Sequence, residues 1–396
     1  MSTAILDSYR GRASALITQL RTDRYRYEVG LASELNLRNL LRDQSDLFSI
    51  SSVAELRQAH EAINGGFQTP KAAAKRLINF AQWGMLTLAE DALTVEMSGE
   101  PADEIKDRCF DLRNDIARQL GFSTFLELKS DEYGIDHHKL EVQSCEFLER
   151  TEVMKSAVPE SLSPVNSRID LRDTYQKLFA GLGFDTSQQT NVEIDLESTG
   201  RKRRRVFCAA LHVPDEIKLV LNPQEDWADV GLLLGGGGRV QQFAWTSRNL
   251  PPELRLYGDR SIQYGWAFVF SSLAFTREWL EETYGFAENA AIRRVAGVNE
   301  LIDARQDAEG AMQEDSKYRS AESMRGRAFA TQMLEQLRSK FGFRWWRSRK
   351  AGDMLIDLWN TGYRYTADEL ASMAGLGELS FEWLASQMLK VVREVK

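Results

Sequence analysis

The sequence predicts a mainly α-helical fold with two lobes and one small β-sheet. Apolar residues recur at helical spacing along most of the chain, and only the stretch 191–221 has the patterns typical of strands. Hydrophobic residues make up 43% of the composition and charged residues 27%, as in ordinary soluble globular proteins. A chain of 396 residues can bury a large core and form more than one domain.

Helical periodicity dominates the N-terminal part of the chain. Pro70 opens a long pattern over 71–93, and an amphipathic pattern over 104–120 stops at Gly121. Leucine-rich segments with helical spacing precede these patterns. Further helical patterns cover 140–153 and 171–182. We therefore expect an N-terminal helical region over 1–160, followed by a second lobe over 161–396.

Three short segments near the middle are predicted to be strands, and they place a small sheet at about 191–221. β-Branched and apolar residues are concentrated in these segments, and Val213 to Glu216 supplies the turn between the last two. The predicted strands are Asn191–Leu196, Val206–His212 and Ile217–Leu221.

The four consecutive glycines 235–238, followed by Arg239, interrupt a pattern that otherwise predicts a buried helix. Each glycine in a helix costs about 1 kcal/mol relative to alanine. The apolar spacing before the run continues in phase after it, so we predict one helix over about 226–247. Further helices are predicted over 258–274, 290–309 and 320–340, with shorter ones in 351–396. A cleft between two such lobes is a common ligand site.

The charge and the apolar runs exclude several function classes. The net charge of −8 disfavours nucleic acid as a partner. The basic run 201–205 is interpreted as a solvated turn and strand start, with an anion-binding or nucleic-acid-binding patch as the alternative. The chain has no uninterrupted apolar run of membrane-spanning length and no signal-like N-terminus, so we expect no membrane insertion. Three widely spaced cysteines fit reduced thiols in a cytoplasmic protein.

The histidines do not form a recognisable catalytic or metal-binding pattern. The chain has four histidines and no HxxxH pair. His137 and His138 are adjacent, so on a helix they point about 100° apart. His212 closes a predicted strand and is expected to be packed or hydrogen-bonded. No cysteine–histidine cluster and no nucleophile triad is visible, and we expect no cofactor.

Several segments together resemble a known family of zinc peptidases. The segments are 134–136, 147–152, 206–220, 250–261 and 345–352. In this order and spacing they resemble metallopeptidases of the thimet oligopeptidase and oligoendopeptidase F type. The resemblance implies a helix on which two histidines at i and i+4 bind zinc and a glutamate beside the first acts as general base. A glutamate from the following helix would complete the ligands.

At the positions that the resemblance assigns to this chemistry, the chain has other residues. Gly235 stands at the first histidine, Gly236 at the general base and Arg239 at the second histidine. Tyr264 stands at the third ligand, or Gln263 if the alignment shifts by one. Glycine has no ligand atom, and arginine remains protonated and would repel a dication. Family members often carry tyrosines downstream that bind the oxyanion. Tyr318 stands at one of these positions, and Ser323 stands where the neighbouring tyrosine is expected.

The resemblance therefore implies a zincin-like fold that has lost zinc and hydrolysis. The expected role is to bind a peptide or protein in the cleft, or to act as a subunit of an assembly. The candidate ligand-binding residues are His212, Arg239, Gln263, Tyr264 and Tyr318.

Other interpretations of the same residues stay open at the level of sequence. The glycine run with Arg239 is compatible with an anion or nucleotide site of an enzyme with other chemistry. A residual metallopeptidase with atypical ligands is a further alternative. Arg239 is also expected to pair with a buried acid such as Asp259 or Glu253 if it has no ligand. Tryptophans at 345, 346 and 359 suggest core packing or an aromatic–cationic surface, and those at 245, 266 and 279 suggest filling of the cleft.

Overall fold

The computed structural model describes residues 2–63, 68–159, 169–285, 289–313 and 317–394. Within these residues the fold is mainly α-helical with one three-stranded sheet, which confirms the predicted fold class. The α-helices, in chain order, are α1 Ser2–Glu28, α2 Leu37–Arg42, α3 Ile50–Glu61, α4 Gln68–Glu96, α5 Ala102–Gln119, α6 Phe125–Tyr133, α7 His137–Arg150, α8 Leu171–Gly181, α9 Ala228–Ala244, α10 Pro252–Leu256, α11 Ser261–Ser271, α12 Arg277–Tyr284, α13 Asn289–Gly310, α14 Lys317–Phe341, α15 Arg349–Trp359, α16 Ala367–Met373 and α17 Phe381–Glu394. None of the described helices is both long and apolar enough to cross a membrane.

Packing divides the chain into two compact units. The first comprises residues 1–137 together with 249–258, and the second comprises 138–248 and 259–396. The predicted boundary between 160 and 161 falls in 160–168, which lies outside the described residues. It stays a prediction.

The first unit is a set of helices arranged around α4. Leu77 and Phe80 of α4 are buried in its core. The excursion 249–258 belongs to this unit, because Leu250 and Leu254 form an apolar cluster with Ala73 of α4. Within the same unit, the buried Glu253 of α10 accepts a hydrogen bond from Arg10 Nε of α1 at 2.9 Å.

The sheet in the second unit contains β1 Val192–Asp195, β2 Val206–His212 and β3 Glu216–Leu221, in the order β1–β3–β2. β1 runs parallel to β3, with Ile194 opposite Leu219. β2 runs antiparallel to β3, with Phe207 opposite Val220. Leu219, Val220 and Leu221 are fully buried, as expected for a central strand.

The core of the second unit is built on α9, α11 and α14. Trp266 of α11 is fully buried and contacts Phe329 of α14 edge to face at 5.1 Å. Trp359 of α15 lies 5.8 Å from Trp266, measured between ring centroids. Large aromatic rings of this kind bury much apolar surface, and their edge-to-face contacts fix the packing of the helices that bear them.

Candidate functional site

The glycine run lies in the middle of helix α9, as the phase of the apolar residues predicts, and all four glycines are buried. Gly235 and Gly238 face α11, Gly236 faces the sheet, and Gly237 faces Tyr175 and Phe179 of α8. The helix is therefore enclosed on three sides by close neighbours.

α9 and α11 cross so closely that backbone of one approaches backbone of the other. A β-carbon added at Gly238 would lie 2.5 Å from the carbonyl oxygen of Trp266, and one added at Gly235 would lie 3.2 Å from that of Ala267. One added at Gly231 would lie 3.4 Å from the ring of Phe275. From Gly238 back to Gly231 the residue numbers along α9 fall, while those of the contacted residues rise from 266 to 275. The two helices are therefore antiparallel. Glycine at these positions permits the close approach.

A side chain at Gly236, the position assigned to the general base, would have to displace the side chain of Leu219. A β-carbon at Gly236 would lie 2.5 Å from Cδ1 of Leu219, a fully buried residue of β3. Interiors packed at this density accept an added side chain only by shifting their neighbours.

The structure contradicts the interpretation of the glycine run as a nucleotide-binding or phosphate-binding loop. Such a loop uses backbone N–H groups that are free at a helix N-terminus. Gly235 to Gly238 lie well inside α9, which begins at Ala228. Their N–H groups are used by the helix, so no donors remain there for an anion.

Arg239 and Tyr264, which the resemblance aligns with two zinc ligands, meet in the structure. The guanidinium carbon of Arg239 lies 5.2 Å from the centroid of the Tyr264 ring. Both side chains are half-buried. The geometry is that of a cation–π contact, so the pair holds a fixed positive charge next to an aromatic face. Nε of Arg239 is buried and has no hydrogen-bond partner among the described residues.

The ring of Tyr264 belongs to a longer row of aromatic and cationic side chains along α11. Arg260 lies 5.8 Å from the Tyr264 ring on the preceding turn. Phe268, on the following turn, stacks on Tyr264 with a centroid distance of 6.4 Å. Arg327 of α14 then covers Phe268 at 4.2 Å. Sequence reasoning missed Phe268 and Arg327; the i, i+4 spacing of Tyr264 and Phe268 was the available signal.

The expectation that Arg239 pairs with Asp259 or Glu253 is wrong, because both acids have other partners. Glu253 pairs with Arg10 within the first unit. Asp259 is fully buried and pairs with Arg325 at 3.0 Å. It also accepts hydrogen bonds from the backbone N–H groups of Ser261 and Ala367 at 2.9 and 2.8 Å.

The buried Asp259 carboxylate fixes the start of α11 and is stable in its charged form. Burial acts to raise the pKa of Asp259, but the charge of Arg325 and the N–H donors outweigh it and hold the pKa below its ordinary value. This arrangement positions the N-terminal end of the helix that carries Tyr264.

The remaining candidate residues do not join the Arg239–Tyr264 pair through any recorded contact within the described ranges. Gln263 is half-buried on α11. His212 is exposed at the end of β2 opposite Glu216, so it is not packed as expected. Tyr318 falls in the first turn of α14, and its side chain lies outside the described residues. Ser323 donates a hydrogen bond to Asp307 at 2.6 Å.

Five of the six tryptophans singled out from the sequence are packing residues. Trp345, Trp346 and Trp359 are at most 2% exposed, which confirms core packing and argues against an aromatic–cationic surface. Trp266 and Trp279 are equally buried. The Nε1–H of Trp245 donates to Gln241 within α9.

The basic run 201–205 forms the turn before β2, and two of its members make internal ion pairs. Lys202 is buried and donates to Asp195 at 2.7 Å. Arg205 pairs with Asp229 of α9 at 2.7 Å. The other members are exposed, which agrees with a solvated turn.

The residues at this site do not fit the zinc ion that the resemblance implies. Zinc in proteins is bound by imidazole, thiolate or carboxylate groups, usually three or four at one point. No group of three such side chains with metal-binding geometry occurs in the described part of the chain. The guanidinium of Arg239 supplies positive charge where a metal would need electron donors.

No family model and no curated protein sequence matches this chain. Solved structures do match over nearly its full length. A carboxypeptidase from Pyrococcus furiosus aligns with 13% identity and a TM-score of 0.66, covering 98% of both chains. An M32 carboxypeptidase from Deinococcus radiodurans aligns with 9% identity and a TM-score of 0.63, covering 100% of this chain and 99% of the other.

A protein described as an oligoendopeptidase F from Bacillus anthracis is also similar, with 13% identity and a TM-score of 0.56 over 94% of this chain and 88% of the other. Identities this low establish the fold alone, and function does not follow from fold. The chain therefore has the helical fold of these carboxypeptidase and oligoendopeptidase F structures.

Proposed function

We propose that this chain is a catalytically inactive, metallopeptidase-like protein that acts by binding a peptide or protein partner or as a structural subunit. The observation that carries the proposal is the contact of Arg239 with Tyr264 beside the closely packed glycines of α9. Each position that the resemblance assigns to zinc chemistry is occupied by a residue without the required group.

The electrostatics of the pair support the loss of the metal. The resemblance aligns Arg239 and Tyr264 with two zinc ligands, and the guanidinium of Arg239 lies 5.2 Å from the Tyr264 ring. A dication bound by residues at these two positions would therefore lie close to a permanent positive charge. Two positive charges at such separations repel strongly where water is partly excluded. The ring face instead attracts the guanidinium, so the pair is stable without an ion.

The packing of the glycines supports the loss of the general base. A glutamate at Gly236 or a histidine at Gly235 would require displacement of Leu219 or of α11. Hydrolysis by a zinc-bound water needs both a metal and a group that accepts the proton. At the aligned positions, Gly235, Gly236 and Arg239 supply neither a ligand for the metal nor a carboxylate that accepts the proton.

Zinc analysis of the purified chain tests the proposal directly. After incubation with zinc and removal of the excess, we expect far less than one zinc per chain by elemental analysis. We also expect no cleavage of a library of short peptides, with an active helical zinc peptidase as the positive control. Binding of one zinc per chain, or cleavage that a chelator abolishes and zinc restores, would contradict the proposal.

Restoring the ligand residues provides a second prediction. The variant Gly235→His/Gly236→Glu/Arg239→His/Tyr264→Glu is expected to lose stability by about 3 kcal/mol or more and to bind no stoichiometric zinc, because overpacking at two buried glycines adds up. Thermal unfolding and elemental analysis measure the two effects.

The matched control is Arg239→His/Tyr264→Glu, which leaves the glycine packing intact. It removes the contacts of the Tyr264 ring with Arg239, Arg260 and Phe268, and we expect a loss of about 0.5–2 kcal/mol. A fourfold variant that is as stable as this control, and that binds zinc, would show that α9 and α11 can separate to admit the ligands.

A further inference from the structure

The second unit contains a cavity of about 470 Å³ that the proposed function does not use. It is bounded by the C-terminal part of α11 and the turn after it, and by α12, α13, α14 and α17. Its volume is in the range of small-molecule binding sites, about 300–1,000 Å³. The α14 residues that line it, at 327, 330, 331, 334, 335 and 338, recur at helical spacing on one face.

One side of the cavity is apolar. Phe268 and Phe275 line it from the α11 side, Leu334 from α14, and Leu384 and Met388 from α17. Such a surface removes the apolar body of a ligand from water, which is the main source of affinity for small molecules.

Phe343, which also lines the cavity, is 69% exposed. Single exposed apolar residues are ordinary on protein surfaces, so the Phe343 ring supports a ligand site only because it adjoins the cavity. A ligand that extends to the edge of the cavity would cover part of this ring.

The charged groups of the lining are mostly cationic. Five cationic side chains line the cavity with three carboxylates, in a chain whose net charge is −8. The cations are Arg277, Arg293, Arg327, Arg338 and Lys390, and the carboxylates are Glu278, Glu300 and Glu335. Glu281 and Asp307 pair with Arg277 and Arg327 from outside the lining and balance this count. An anionic ligand is therefore favoured at a lining cation that has no carboxylate partner.

Arg338 is the cation best placed to hold such an anion. Arg277 pairs with Glu281 at 2.8 Å, and Arg327 pairs with Glu300. Arg338 is half-buried, one turn beyond Leu334, and its side chain makes no recorded hydrogen bond or ion pair within the described ranges. A guanidinium in this position can take a carboxylate in a bidentate geometry.

We propose that this cavity binds a small organic carboxylate with an apolar body. The carboxylate lies against Arg338, and the body lies against Phe268, Leu334 and Met388. The proposal depends on the cavity and not on the absence of zinc, so it stands or falls separately from the proposed function.

Two matched probes test the proposal, 2-naphthylacetate and its neutral amide, 2-naphthylacetamide. By isothermal titration of the full chain we expect the carboxylate to bind about 10–100-fold more tightly than the amide, because one charge-assisted hydrogen-bonded pair is added. Arg338→Gln should remove this preference and leave the amide affinity unchanged, and Arg338→Lys should retain part of it.

The control variant is Arg248→Gln, whose exposed side chain pairs with Asp215 and does not line the cavity. It should bind the carboxylate as the parent chain does. Equal affinity for the two probes, no binding of the carboxylate at millimolar concentration, or an unchanged preference in Arg338→Gln would each overturn the proposal.

Discussion

Replacing Asp259 by alanine is expected to lower the free energy of unfolding of the second unit by about 3 kcal/mol. This is the lower end of the usual effect of removing one partner of a buried ion pair, because Arg325 keeps Asp368 as a second partner. Asp259 is fully buried, and Arg325 beside it is 5% exposed. The variant also leaves the N–H groups of Ser261 and Ala367 without their acceptor. Urea unfolding followed by tryptophan fluorescence measures the change, since every tryptophan except Trp83 lies in the second unit.

The contribution of Asp259 should depend on pH in a defined direction. Because its pKa in the folded chain lies below the ordinary value of 3.8, the charged form is stabilised by folding. This contribution is complete at pH values above 3.8 and is lost as the pH falls through the folded-state pKa. The difference in unfolding free energy between the parent chain and Asp259→Ala should therefore become smaller in acid.

The matched control is Asp215→Ala, which removes an aspartate whose partner, Arg248, is 71% exposed. Exposed ion pairs contribute about 0–1 kcal/mol, so this variant should unfold almost as the parent does. If the two alanine variants lose the same stability, Asp259 is not the anchor of α11 that its contacts indicate.

Replacing Gly238 by alanine is expected to destabilise the chain by about 2–3 kcal/mol, even though alanine is about 1 kcal/mol better than glycine in a helix. The new β-carbon would lie 2.5 Å from the carbonyl oxygen of Trp266 and 2.7 Å from the ring of Phe270. A backbone oxygen cannot rotate away as a long side chain can, so α9 and α11 must separate. The midpoint of urea unfolding reports the loss.

Gly11→Ala is the control for this substitution. Gly11 lies in α1, is exposed, and has no atom within 4 Å of an added β-carbon. There the gain in helix propensity acts alone, and we expect a small stabilisation of up to about 1 kcal/mol. A stabilising effect at Gly238 as well would mean that the close crossing of the two helices is not rigid.

Local patterns predicted much of the second unit correctly. Val206–His212 is a strand with the predicted bounds, because alternation and turn residues act over a few positions. The helix containing the glycine run was predicted from Val230, Leu233 and Val240, which keep one phase and are all buried. Burial of an apolar face outweighed the low helix propensity of the glycines, as is usual for helices in proteins.

Partners that are distant in the sequence could not be predicted in the same way. Asp259 pairs with Arg325, and Glu253 with Arg10, whereas the sequence suggested Arg239 for either acid. The chain also returns to the first unit at 249–258, which no change of composition marks. Spacing along one helix carries no information about which side chain of another element lies opposite.

On the proposed function, the close-packed Gly235 and Gly236 make the loss of a metal site on α9 hard to reverse by single substitutions. A histidine or glutamate at either position would strain the crossing with α11 or the contact with Leu219 before any metal could offset that strain. Changing Arg239 alone would bring no ligand set together. On the proposed function, the first substitutions toward a metal-binding helix each give a less stable protein. The packing of α9 therefore opposes the stepwise return of a metal site during evolution.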